Sequence, residues 1–217
     1  MKYNTLDTII DDIMLEMRRN NITESESYGR KQIEQWIIQY RSLILKEIAN
    51  AKLPISGNYY QKFIVELMPN EKTNLSGMGV YDLVSKFKIP DCFSSDLGDK
   101  FLTSYDMFGN EIQSMSEKRS RMNRFSRHFY NGKPSSYIGS DKKYHLDNSD
   151  SISMVEIGGI FLDPTEVPTF DYENEMYPID PGVLPRLKQM IFQGELKFNL
   201  IPDTKNDGRE AAVIQGR

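Results

Sequence analysis

The chain is poor in the residues that most enzymes use for chemistry. Its 217 residues include one cysteine, Cys92, and two histidines, His128 and His145. A single thiol excludes an intrachain disulfide framework and suits a reducing compartment. With so few Cys and His, no zinc-binding spacing can be assembled. Positive charge is not in excess either: 27 Lys and Arg against 31 Asp and Glu give a net charge of −4. That balance argues against a general nucleic-acid binder, which is usually basic. No apolar run approaches the ~20 residues that span a bilayer. The opening Met1-Lys-Tyr-Asn-Thr lacks the apolar core of a secretory signal. There is no G-x-x-x-x-G-K-[ST] phosphate loop and no G-x-S-x-G elbow, and Gly158-Gly159 is too short for a dinucleotide fingerprint. Cys92 with His128 or His145 would be a nucleophile pair in principle, but a structural cysteine is the stronger reading. The expectation is a protein that is not an enzyme, with no metal, no cofactor and no membrane partner.

What is present is enough apolar material for a core. Hydrophobic residues make up 39% and aromatics 11%, which fits one domain or one domain with an appendage. The spacing of Leu6, Ile9, Ile10, Ile13 and Met17 predicts a helix over residues 5–19, capped by Asn4 or Thr5. Thr23 and Glu26 have capping-box spacing. They precede a second helix with an apolar stripe of Ile33, Trp36, Ile37, Tyr40, Leu43, Ile44 and Ile48, ending near Ala51 ahead of Leu53-Pro54. From Tyr59 the pattern becomes β-rich: residues 59–68, 79–89, a hairpin over 101–115 with Gly109-Asn110 at its turn, then 133–138, 143–146 and 151–157. A last helix is expected over 184–200, with Leu184, Leu187, Ile191 and Phe198 buried, Pro185 in its first turn and Gly194 weakening it. The fold class predicted is α+β: an N-terminal α-hairpin (1–53), a central antiparallel β-region (54–180), and a C-terminal helix with an extended tail (181–217), forming one structural domain overall.

Charge is placed unevenly. Residues 118–133 carry six basic side chains (Lys118, Arg119, Arg121, Arg124, Arg127, Lys133) and no acidic one, whereas 147–180 carry nine acidic side chains and no Lys or Arg. The acidic run lacks the spacing and glycine of an EF-hand. Arginines interleaved with Phe125, Phe129 and Tyr130 could grip phosphates and stack bases, so a small nucleic-acid-binding module is the alternative function. The stronger reading pairs two surfaces between neighbouring subunits. The basic surface is Arg119, Arg121, Arg124, Arg127 and Lys133, and the acidic one is Asp163, Glu166, Asp171, Glu173 and Glu175.

Four segments resemble the head–tail connector or neck ring proteins of short-tailed, crAss-like bacteriophages. They are the helical pair containing Trp36-Ile-Ile-Gln-Tyr-Arg-Ser-Leu-Ile44, the segment Gly159-Ile-Phe-Leu-Asp-Pro-Thr-Glu166, Tyr177-Pro-Ile-Asp-Pro181 leading into Leu184, and the tail Asp203-Thr-Lys-Asn-Asp-Gly-Arg209. In the second, Leu162 stands where the family segment carries an acidic residue. The resemblance implies a structural virion protein, assembled in the host cytoplasm, that forms a ring of about twelve copies. It also implies contact with the portal protein and further neck and tail proteins, non-specific contact with packaged DNA, and a tail that docks on a neighbour through Asp203, Lys205, Asn206 and Arg209.

Overall fold

The computed structural model describes residues 4–20, 28–70, 82–94, 102–119, 134–147, 149 and 151–196. Helix α1 (Leu6–Asn20) starts where the cap was expected. The Thr8 amide donates to Thr5 Oγ1 at 3.3 Å, which satisfies one of the open N–H groups of the first turn, and the Thr8 hydroxyl donates back to the Thr5 carbonyl at 2.8 Å. Leu6, Ile9, Ile10 and Ile13 are buried on one face. Helix α2 (Arg30–Asn50) begins after Gly29, which contributes no side-chain cap; the expected capping residues Thr23 and Glu26 lie outside the described residues. Its buried stripe is Ile33, Trp36, Ile37, Arg41, Ile44, Leu45 and Ala49. Leu43, expected inside, is 42% exposed. The stripe runs through a charged residue, so reading apolar residues alone placed it one position off. Arg30 bridges the helices, 2.7 Å from Asp7 and hydrogen-bonded to Asp11.

Helix α3 (Leu184–Ile191) has a proline in its first turn, where the missing N–H is harmless, and buries Leu187 and Ile191. Leu184 packs against the same core, and Phe198 lies outside the described residues. Beyond Ile191 the helix widens into a π turn, Phe192–Leu196, rather than continuing as α-helix. Gly194 lies within this turn. A Cβ there would sit 2.0 Å from the Tyr40 hydroxyl, which donates to Glu195 Oε1 at 3.0 Å. The glycine lets α2 and the last turn approach each other; it does more than lower helix propensity.

Seven strands form one sheet: β1 (Gln61–Pro69), β2 (Asp82–Ser85), β3 (Leu102–Asp106), β4 (Gln113–Ser114), β5 (Ser135–Ile138), β6 (Tyr144–Asp147) and β7 (Met154–Gly159), in the order β3-β7-β1-β2-β6-β5-β4. β1 serves both halves: Gln61 to Glu66 pair with β7, and Leu67 to Pro69 pair with β2. The sheet is mixed rather than purely antiparallel, because β4 pairs parallel to β5. Residues 115–134 supply the long connection a parallel pair requires. The expected hairpin is present at its turn, where Tyr105 bridges Glu111 and the Ile112 amide donates to the Ser104 carbonyl at 2.8 Å. Its second arm then leaves for β5, so the two ends of the strand order meet.

Two apolar clusters result. One gathers α1, α2 and α3 with Tyr59, Ile160, Tyr177 and Ile179; the other fills the sheet with Phe63, Val65, Leu146, Val155, Ile157 and Phe161. The segment 160–180 joins them. Ile160 faces the helices and Phe161 the sheet, Cys92 bridges Phe161, and Met176 bridges Thr5. Leu162 packs on the helical cluster, which gives a leucine a physical reason to occupy that position.

Candidate assembly surface

The acidic loop is shaped by its own carboxylates. Asp163 caps the 3-10 turn Pro164–Glu166, its Oδ1 accepting from the Thr165 amide at 2.9 Å and the Thr165 hydroxyl at 2.7 Å. Asp171 repeats the device: Oδ1 accepts from the Glu173 and Asn174 amides at 2.9 and 3.1 Å, and Oδ2 from Asn174 Nδ2 at 3.0 Å. Glu175 Oε2 in turn accepts from the Asp171 amide at 3.3 Å. Three of the five predicted acidic residues therefore hold the loop's conformation, while Glu166 and Glu173 are exposed. Of the predicted basic set, Arg119 is exposed on a short helical turn, its amide donating to Ser116 Oγ at 3.3 Å. Arg121, Arg124, Arg127 and Lys133 lie outside the described residues, as do Asp203, Lys205, Asn206 and Arg209 of the tail.

A residue outside the charged segments holds the acidic loop against the body. Arg41, fully buried on α2, donates from Nε to the Pro178 carbonyl and from Nη1 to the Phe161 carbonyl, both at 2.8 Å. The rings of Tyr59 and Tyr177 lie 5.5 and 5.9 Å from its guanidinium carbon, within cation–π range. Burial lowers the Arg41 pKa, partly opposed by Tyr177, Tyr59 and Asp163; a guanidinium stays charged nonetheless. Burial likewise pushes the Tyr177 and Tyr59 hydroxyls up. One side chain thus ties Trp36–Ile44, Gly159–Glu166 and Tyr177–Pro181 together. Those are three of the four segments that carried the resemblance.

A second polar cluster lies in the sheet. His145 stacks on Tyr137 with ring centroids 4.8 Å apart. Its Nε2 is 3.2 Å from Asp141 Oδ1, and its Nδ1 is 3.8 Å from Asp82 Oδ1, an ion-pair distance rather than a hydrogen bond. Burial would lower the imidazole pKa, but the two carboxylates outweigh it and the net shift is upward. Asp141 sits four residues before His145 and could have been read from the sequence; Asp82 arrives only through the β2–β6 pairing. Among the described residues no group of three or more His, Cys, Asp or Glu could hold a metal ion. No helix among them is long and apolar enough to cross a membrane.

With this geometry in place, comparison with known proteins supplies a family. A family model described as phage tail ring protein 2 matches residues 8–210. No curated protein matches the chain. The match covers nearly the whole sequence, and the chain belongs to the phage tail ring protein 2 family of crAss-like phages, a structural component of the virion.

Proposed function

We propose that this member of the ring-protein family forms a homo-oligomeric ring in the neck of the virion, joining the capsid portal to the tail and surrounding the DNA channel. The observation that carries the reading is the family match across residues 8–210, which includes every segment tied by Arg41. The work of such a subunit is mechanical: it adapts one ring of surfaces to another and holds them in register. In a head-to-tail ring each subunit presents two different surfaces to its neighbours. The basic segment 118–133 and the acidic loop, through its exposed Glu166 and Glu173, carry opposite charge suited to setting register between such surfaces. The tail residues Asp203, Lys205, Asn206 and Arg209 would dock on a neighbouring chain, and packaged DNA would be touched non-specifically.

Negative-stain imaging of the purified chain, alone and mixed with its portal protein, tests this. Closed rings of uniform diameter that seat coaxially on the portal are expected. A chain that stays monomeric and ignores the portal would overturn the reading. Removing residues 202–217 should weaken assembly, and undiminished assembly would remove the docking role of the tail.

A further inference from the structure

At the end of the β3–β4 hairpin the polar side chains bond within the turn while the aromatic stands out in solvent. Phe108 is 91% exposed. It is not there for want of order. Asp106 Oδ1 accepts from the amides of Phe108 and Asn110 at 2.9 and 2.8 Å, and Oδ2 accepts from Asn110 Nδ2 at 2.8 Å. Gly109 completes the turn at φ +84°, a backbone conformation that favours glycine. The tip is therefore preorganised, and ordering it on binding would require little entropy. Beside it, Met107 and Ile64 are 55% and 51% exposed, and both line a surface pocket of about 360 Å³ with Tyr105, Lys62 and Glu156. Glu156 and Glu66 are ion-paired with Lys62 and Lys86, which leaves Asp106 in the pocket lining and Glu111 opposite Tyr105 as the excess charge, so the surroundings of the Phe108 turn are acidic.

The C-terminal half of α2 and the residues just after it carry the opposite sign. Leu43 and Leu53 are 42% and 59% exposed; the exposed Lys46 and Lys52 lie in the same stretch of chain, and Glu47 between them is ion-paired with Arg186, so the excess charge there is positive. The chain passes from this stretch into β1 at Gln61, which pairs with Gly159. The turn lies at the other end of those strands, where Glu66 pairs with Met154 and Asp106 with Val155. We propose that the Phe108 turn is the knob by which one subunit grips the next, and that it seats on the C-terminal end of α2, at Leu43, Lys46, Lys52 and Leu53, of a second copy of this chain. The proposal rests on the ring reading above, which requires two unlike surfaces on each copy. A rigid, protruding aromatic is the kind of residue on which interface energy concentrates. Acid around the knob and base around the seat select that pairing over knob against knob.

The test uses two full-length variants, Phe108→Asp and Leu53→Asp, followed by native mass spectrometry. Each change falls on an exposed side chain, so each variant should melt with the parent protein; Phe108→Ser repeats the first with less perturbation of the turn. Each variant alone should be monomeric, losing the ring completely. Mixed in equal amounts they should form a dimer and stop there, because the intact knob of the Leu53→Asp chain still meets the intact seat of the Phe108→Asp chain. Rings that persist in both Phe108 variants, or a mixture that stays monomeric, would overturn the proposal while leaving the ring reading standing. A parent protein that is itself monomeric would overturn both.

Discussion

Arg41 and Phe108 break the same rule in opposite directions. Arg41 is a charge with no exposed surface, and Phe108 is an aromatic with almost nothing covering it. Around the arginine, two carbonyls and two tyrosine rings converge from segments far apart in the chain. Around the phenylalanine, Asp106 and Asn110, just before and just after it in the chain, fix the turn, and the ring stands exposed. Long-range contacts aimed inward specify the fold, whereas a locally ordered turn aimed outward adds little to it. The difference separates residues that hold the subunit together from residues available to join subunits, and that separation can be measured.

The largest effect on stability belongs to Arg41. Replacing it with alanine strands the carbonyls of Phe161 and Pro178, opens a cavity between Tyr59 and Tyr177, and should cost about 3–5 kcal/mol. The midpoint of urea unfolding reads this directly, and a midpoint within error of the parent would show that the arginine does not tie the acidic loop. Gly194→Ala comes next. It forces a methyl against the Tyr40 hydroxyl, 2.0 Å from the ideal Cβ position, and should cost about 1–3 kcal/mol; pairing it with Tyr40→Phe should recover part of that loss.

A smaller effect comes from His145, whose folded pKa is raised. A raised pKa means the folded state binds the proton more tightly than the unfolded one. The contribution is therefore fully present below the unfolded imidazole value of about 6.5 and is lost as pH rises through the folded value. Melting temperature should fall across that window, and His145→Gln should flatten the slope. The smallest stability effect is that of Phe108→Asp, expected within about 0.5 kcal/mol of the parent, although the same change is expected to abolish assembly.

The parts of the fold legible in the sequence were those set by local spacing. Leu6, Ile9, Ile10 and Ile13 announced α1, and Thr5 its start. Gly109-Asn110 announced the β3–β4 turn. Pro185 marked the first turn of α3. The illegible parts depended on distant partners. Arg41 has no part in the apolar stripe that spacing predicts, because nothing near it in the sequence reveals that Phe161 and Pro178 offer it carbonyls. The same blindness placed Leu43 inside. The parallel β4–β5 pair joins strands far apart in the chain, and no short motif encodes that pairing. The acidic loop falls between these cases. Asp163-Pro-Thr and Asp171-x-x-Asn174 are capping patterns visible in the sequence, yet a surplus of carboxylates draws the eye to charge before geometry. At the candidate surface the charge asymmetry is visible in the sequence, but spacing does not distinguish carboxylates that shape a loop from those that do not.

The central claim is that this chain closes on copies of itself through two unlike surfaces. The native mass of the purified parent protein, compared with that of Phe108→Asp at equal concentration and equal melting temperature, tests it most directly. A single closed multiple of the 25.2 kDa chain for the parent, and the monomer alone for the variant, is the predicted result. Identical masses for the two proteins would contradict it.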